Sequence, residues 1–435
     1  MPRLDPSSKA AFLSSLLLTA TIGALGADRA QAQDANQLTG DWGGLRTQLA
    51  QKGYQFQAGY TEEAAGNTSG GTGQYFNGAG QLMLGATLDL EKILAIPGAT
   101  VQFTVTNRNG SNLVDAAGLN TLQLVQEVYG RGNIWRLVDF WYEQKFFDDA
   151  LSWKGGRMTL GEDFAGFSCD FQNLTFCGAT PGNLVGNYWF NWPVSQWGTR
   201  VRFGKPDSYF QIGAYQVDPR NAENNGFYMG FSDTTGVLIP AEVGWKPTLW
   251  GMAGSYTATV WYDTSSADDV YYNSFGAPLG LFGGSPMLVQ GRYGFSVHLQ
   301  QQVYQPVADD PVRGLSVFLN ITQTDTRTSQ TDNQVAVGFQ YTGPFNERPR
   351  DVVALAFGRT QLNGNYVATE ALQNAVNPGS VVVQNTSEYV IETYYNIHVC
   401  AGLDVRPNFQ YIFNPGGVSS AADVGVIGLK TVVNF

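Results

Sequence analysis

GVIGLKTVVNF (residues 425–435) places Ile427, Leu429, Thr431, Val433 and Phe435 on one face of an extended chain, with the residues between them on the other. Side chains alternate across a β-strand, so this stretch reads as a strand with one apolar face. The same period of two recurs far upstream. VQFTVTNR (101–108) sets Val101, Phe103 and Val105 against Gln102, Thr104, Thr106 and Arg108. RYGFSVHLQQQVY (292–304), GLSVFLNITQT (314–324) and QVAVGFQYTG (334–343) repeat the pattern, each with Gln, Ser, Thr or Asn on its second face. The chain is therefore all-β, and the open question is what its apolar faces cover.

A soluble sandwich and a membrane barrel both produce such alternation, because each has one wet and one dry face per strand. Composition and strand length separate them. Charged residues make up only 14% of the 435 residues and aromatics 13%, with 52 glycines. Ordinary soluble domains carry about 25% charge. Mean hydropathy is nonetheless −0.16, and after the first apolar run no stretch of ~18 apolar residues follows that could form a membrane helix. The strands run near ten residues, longer than the 5–6 usual in soluble sheets, and aromatic pairs such as Trp141-Tyr142, Tyr271-Tyr272 and Tyr394-Tyr395 sit at strand ends, as interfacial girdles require. A closing Phe435 preceded by alternating apolar positions resembles the signal by which outer-membrane barrels are recognised for insertion. The expected architecture is an all-β, transmembrane antiparallel β-barrel. At roughly 22–25 residues per strand and turn, its length supports some 14 to 18 strands.

The N-terminus reads as a leader. Arg3 and Lys9 precede the apolar run AAFLSSLLLTATIGALG (10–26), and Ala30-Gln31-Ala32 supplies a small-x-small cleavage pattern, so 1–32 is expected to be a signal peptide. LTGDWGGLRTQLAQKGYQF (38–56) then has Leu45 and Leu49 at i, i+4, with Asp41 or Thr39 to cap a helix and Gly53 to end it. Residues 33–53 are accordingly expected to form a short periplasmic helical segment, and 54–435 a single barrel. AGNTSGGTGQYFNGAG (65–80), NNGFYMGFSDTTG (224–236) and NPGSVVVQNTS (377–387) read as long loops. Lys205-Pro206-Asp207 and Gly343-Pro344-Phe345 read as short turns.

Catalytic and metal chemistry find little support. Neither His298 nor His398 has a cysteine or second histidine at ligand spacing, and no nucleophile elbow, phosphate loop or dinucleotide fingerprint occurs. No enzyme activity, metal or cofactor is expected. A net charge of −11 without a basic block argues against a nucleic-acid partner. The charges that do fall on polar faces are suggestive. Arg108 ends one such face, Arg200 and Arg202 share another, and Arg157, Glu162 and Asp163 follow one another in GGRMTLGED. Glu388, Glu392 and Tyr394 line up in SEYVIETYY. Opposed arginine and carboxylate rows inside a pore create a transverse field and a hydrogen-bonding ladder suited to neutral polyols; the competing reading is that these charges pair with one another. Cys169 and Cys177 flank a short loop that a disulfide would stiffen by about 2 kcal/mol, while Cys400 lies far away.

Three longer stretches carry a resemblance. LTGDWGGLRTQLAQKGYQF is similar to the N-terminal signature of the carbohydrate-selective porins (OprB family) of Gram-negative outer membranes. WYEQKFFDDALSWKGGRMTLGEDFA (141–165), continued by FQNLTFCG, resembles that family's mid-chain block, and SEYVIETYYNIHVCAGLDVRPNFQYIFNPGG (387–417) its C-terminal block. The resemblance implies sixteen antiparallel strands, an inward-folded third loop, and passive diffusion of glucose-like sugars across the outer membrane, in many members through a homotrimer. A general or anion-preferring pore and a secreted glycan-binding β-sandwich are the alternatives.

Overall fold

The computed structural model describes residues 37–435, so the expected leader, 1–32, lies outside the described residues. The described chain is one sheet rolled into a closed wall. Its strands are β1 (Tyr54–Ser69), β2 (Phe76–Asp89), β3 (Ala99–Gly110), β4 (Trp135–Phe146), β5 (Leu151–Met158), β6 (Gln196–Lys205), β7 (Ser208–Val217) and β8 (Gly236–Trp245). They continue as β9 (Thr248–Leu249), β10 (Met252–Asn273), β11 (Pro286–Tyr304), β12 (Gly314–Gln323), β13 (Thr331–Thr342), β14 (Val352–Leu362), β15 (Glu388–Cys400), β16 (Leu403–Phe413) and β17 (Val424–Asn434). Each pairs antiparallel with its neighbour, and β1 pairs with β17 to close the ring. The two-residue β9 only flanks β10, while β8 pairs directly with β10, so sixteen strands build the wall. Closure removes every exposed sheet edge, which is what allows a sheet to sit in lipid.

The alternation read from the sequence sorts the two faces. Phe103, Val260, Phe295, Val337, Leu355 and Ile427 point outward and are exposed, as a lipid-facing band requires. Thr104, Thr106, Arg108, Ser296, Gln334 and Lys430 point inward and are buried. The expected short turn at Pro206-Asp207 joins β6 to β7, whereas Gly343-Pro344-Phe345 only opens a longer connection, 343–351, between β13 and β14. One expected long loop does not form. Most of 65–80 is strand, because β1 runs to Ser69 and β2 resumes at Phe76. Asn67 makes this possible by donating to the carbonyls of Gly70 (3.0 Å) and Gly73 (2.8 Å) and accepting from the Tyr75 amide (2.8 Å). One side chain replaces the hydrogen bonds a longer loop would need.

The N-terminal segment packs beneath the seam, on the side of the short turns, which in such barrels faces the periplasm. Its helix spans Leu45–Gln51 and ends where Gly53, at φ 94°, donates to Ala50. Gly44 is its N-cap, and Asp41, three residues earlier, holds the first turn by accepting from the Thr47 amide (2.8 Å) and hydroxyl (2.9 Å). The Arg46 guanidinium lies 4.2 Å over the Trp42 ring and donates to the Phe435 carbonyl (3.0 Å), and the Leu38 amide donates to Asn434 (2.7 Å). The helix is thus fastened to the far end of β17. Arg46→Ala is expected to remove about 1–3 kcal/mol of this attachment. The barrel should then convert to its unfolded electrophoretic form at a lower temperature in SDS, with KCl conductance unchanged.

Candidate functional site: two loops folded into the barrel

The connections β3–β4 (111–134, loop 2) and β5–β6 (159–195, loop 3) do not extend away from the barrel; they turn into it. Their composition explains why. Leu113, Ala117, Leu119 and Val125 of loop 2 are at most 2% exposed, as are Phe164, Phe171, Phe176, Trp189 and Phe190 of loop 3. In a solvated loop those side chains would lose their burial, worth about 1.5–3 kcal/mol each. The wall is built to receive them. Ala336, Ala354 and Ala356 provide a shallow floor for Phe171 and Phe176, and Tyr215, Leu238 and Trp261 pack against Phe164 and Trp189.

Irregular backbone inside a barrel must find partners for its amides, and wall carboxylates supply them. Glu388 accepts from the amides of Leu122 and Gly416, both at 2.8 Å. Glu392 accepts from Gln172 and Asn173, again at 2.8 Å each. Glu242 takes the Ala165 amide at 2.6 Å, and Glu63 the Val128 amide at 3.1 Å. Lys430 binds four groups at once: Glu63 (3.0 Å), Glu127 (2.8 Å) and the carbonyls of Cys169 (2.9 Å) and Phe171 (3.2 Å). Cys169 and Cys177 are disulfide-bonded and brace the same part of loop 3. Among the described residues, one grouping has metal-ligand proximity, Glu127 with Cys169 and Cys177. Its two sulfurs are already bonded to each other.

The charges singled out from the sequence fall into three settings. Glu162, Asp163, Arg200 and Arg202 come together at the β5–β7 wall. There Asp163 meets Lys154 (2.9 Å) and Arg200 (3.6 Å), Arg200 meets Glu143 (2.5 Å), and Arg202 bonds Gln211 (2.9 Å) above the Tyr209 ring. Burial raises the Asp163 carboxyl, but Lys154 and Arg200 outweigh it and hold the group below its ordinary value. The surrounding protein withdraws Glu162 from bulk water and Asp139 adds its negative charge, and together they push the carboxyl well above its ordinary value, although part of the residue stays exposed. Glu388, Glu392 and Tyr394 form the second group, wholly covered by the loops. Tyr394 accepts from Gln340 (2.9 Å), and its ring meets that of Phe171 in a T-shaped contact with centroids 5.0 Å apart. Arg108 and Arg157 stand apart from both. Arg108 bonds Gln81 (2.8 Å) and the Tyr129 carbonyl (3.1 Å); Arg157 bonds Asn221 (3.0 Å) and the Ser195 carbonyl (2.6 Å).

Several functional residues escape the sequence reading. Arg136 spends its guanidinium on the carbonyls of Arg131, Asn221, Ala222 and Glu223 and so ties loop 2 to the β7–β8 connection. Arg131 is exposed and donates to the carbonyl of Gly186 in loop 3 (2.8 Å). Lys430 and Glu63 had a legible signal, since both are charges at inward positions of apolar-alternating strands. Glu127 and Arg131 had none, because a loop without periodicity does not announce which side chains will meet.

Comparison with known proteins gives a consistent result. A family model described as "Carbohydrate-selective porin, OprB family" matches residues 74–435. Porin B of Pseudomonas aeruginosa is 44% identical over 440 residues, covering 95% of this chain and 96% of that protein. The putative porin QuiX of Acinetobacter baylyi is 33% identical over 426 residues, covering 93% and 94%. The high-pH structure of Pseudomonas putida OprB superposes with a TM-score of 0.89 at 42% identity, over 93% of this chain and 99% of that one.

The grip of the wall on loop 3 can be tested at Glu392. Glu392→Gln keeps the shape but turns a charged acceptor of two amides into a neutral group with a donor of its own. A loss of about 1–3 kcal/mol at this anchor is expected. Single-channel recordings should show noisier and larger currents than the parent, while the barrel still migrates as a folded species.

Proposed function

The chain belongs to the carbohydrate-selective porin, OprB, family and is an outer-membrane channel for sugar diffusion, and from that premise we propose that glucose-like monosaccharides and short oligosaccharides are its preferred permeants. The observation that carries this reading is the mixed lining of a narrowed lumen. Arg131 and Glu162 of the two inward loops are exposed, with Arg202 and Glu127 partly exposed beside them. Guanidinium forks and carboxylates in close alternation match pairs of sugar hydroxyls, and neither sign of charge dominates the path. The charges expected from the sequence then divide their work. Glu162 and Arg202 meet the permeant, Asp163 and Arg200 orient them, and Arg108, Arg157, Glu388, Glu392 and Tyr394 hold the loops that set the width.

Residues 1–32 serve as the export leader and 33–53 as the periplasmic segment ahead of the barrel. Liposome swelling tests the permeant: glucose is expected to enter faster than neutral solutes of equal size, and disaccharides more slowly than glucose. Equal rates for size-matched sugars and non-sugars would defeat the selectivity and leave a general pore. Arg131, with Arg108 and Arg136 behind it, favours an anion-preferring pore as the second reading, and a reversal potential set by the anion would establish it.

A homotrimer has one supporting feature. Outside the wall, Tyr60 donates to Glu62 (2.9 Å), and the Tyr60 hydroxyl lies 3.3 Å from Asn109. The pair lies across Gly78 and Gly80 of β2, where a Cβ on Gly78 would come within 2.9 Å of the Glu62 carboxylate. A carboxylate in a lipid-facing band is costly without a protein partner, and glycine lets another wall approach. Glu62→Leu is expected to shift a trimer toward monomer in light scattering of the detergent-solubilised protein. A parent protein that is already monomeric would end this reading.

A further inference from the structure

Loop 3 ends with Phe190, Pro193, Val194 and Ser195 all buried. Between them Asn191 and Trp192 are only partly buried. The Trp192 indole nitrogen donates to the side-chain oxygen of Gln81 (2.8 Å), an inward-facing residue of β2. The ring is therefore inside the barrel, and its exposed surface faces the lumen. The same Gln81 oxygen accepts from Arg108 Nε at 2.8 Å. Arg108 in turn reaches the carbonyls of Tyr129 and Gly130, next to the exposed Arg131, whose guanidinium crosses to the Gly186 carbonyl of loop 3. One amide oxygen thus joins an aromatic ring to the Arg108 guanidinium, and Arg108 holds the backbone beside Arg131, where the two inward loops meet.

The other inward indoles are already occupied. Trp189 and Trp261 pack against each other at 5.1 Å, and the Trp141 ring carries the Lys154 ammonium at 4.3 Å. Trp192 has no ring or cation partner of this kind among the described residues.

We propose that Trp192 is the aromatic platform of the channel, covering the flat C–H face of a pyranose while Arg131 bonds its hydroxyl edge, and that Gln81 is the positioning residue that holds the ring in place. The proposal rests on the sugar-channel reading and names the surface that distinguishes a ring sugar from any other polyol. A pyranose has an apolar face that an indole can cover, whereas an open-chain hexitol with a similar set of hydroxyls does not. The buried residues on either side of Trp192 keep the loop backbone from following the side chain, so the ring is fixed before the sugar arrives, which lowers the cost of binding.

The experiment compares glucose with sorbitol in single-channel current-fluctuation analysis and in liposome swelling, for the parent, Trp192→Ala, Trp192→Phe and Gln81→Leu. Trp192→Ala is expected to shorten glucose residence roughly tenfold and to bring its swelling rate to that of sorbitol. Trp192→Phe should retain an intermediate preference. Gln81→Leu should keep the ring but lose part of the discrimination, with folded electrophoretic migration intact. Glucose residence unchanged in Trp192→Ala, or an equal change for glucose and sorbitol, overturns the proposal while leaving the sugar-channel reading in place. A parent that does not distinguish glucose from sorbitol overturns that reading itself. Should Trp192→Ala fail to fold, Trp192→Phe and Gln81→Leu decide the matter, because a preference for glucose unaltered in both is incompatible with a platform held by Gln81.

Discussion

The channel depends on wall carboxylates that accept hydrogen bonds from loop backbone. A loop inside a barrel has no ladder to join, and every unsatisfied amide there costs free energy. Glu63, Glu242, Glu388 and Glu392 meet this need from three strands, β1, β8 and β15, and the two on β15 each grip a pair of amides. Such charge-assisted bonds are short and stronger than neutral ones. They let loops 2 and 3 remain irregular in course without being loose, and a narrow path for solutes requires that combination. Burial of Phe171, Phe176 and Trp189 holds the loops inside the barrel; the carboxylates determine where within it they lie.

The arrangement also explains why so many charges can occupy a small interior. An isolated buried ion is expensive, and a pair is tolerable only when its remaining lone pairs and protons are also satisfied. Lys430 has four acceptors, Arg136 four carbonyls, and Asp163 two cations together with the Tyr215 hydroxyl. Groups so fully occupied shape the channel, while the few that still meet water, Arg131 and Glu162 above all, are left to interact with what passes through.

The sequence made the wall legible and left the interior largely opaque, for physical reasons. A strand repeats every two residues, so VQFTVTNR or GVIGLKTVVNF reveals its inward and outward faces without any knowledge of its neighbours. Sixteen strands followed from length together with the family resemblance, and the helix at Leu45–Gln51 from its leucine spacing and Gly53. The loop expected at 65–80 was mostly strand because glycine and asparagine content signals a turn but not its length, and Asn67 closes a tight one. Glu388 and Glu392 could be placed on an inward face, but not against the amides of Leu122 and Gln172, residues more than two hundred positions away. Nor could any local pattern reveal that Gln81 would join Trp192 to Arg108.

Lys430 sits on β17, and its acceptors come from β1, loop 2 and loop 3. Glu63, which holds Val128 of loop 2, faces Lys430 directly across the β1–β17 seam. The fastening of both loops therefore shares its chemistry with the closing of the ring. An incomplete sheet, however many strands it has paired, lacks the cation that these carboxylates and carbonyls converge upon. Selectivity in this molecule is a property of the finished cylinder, acquired in the same event that seals it against the membrane.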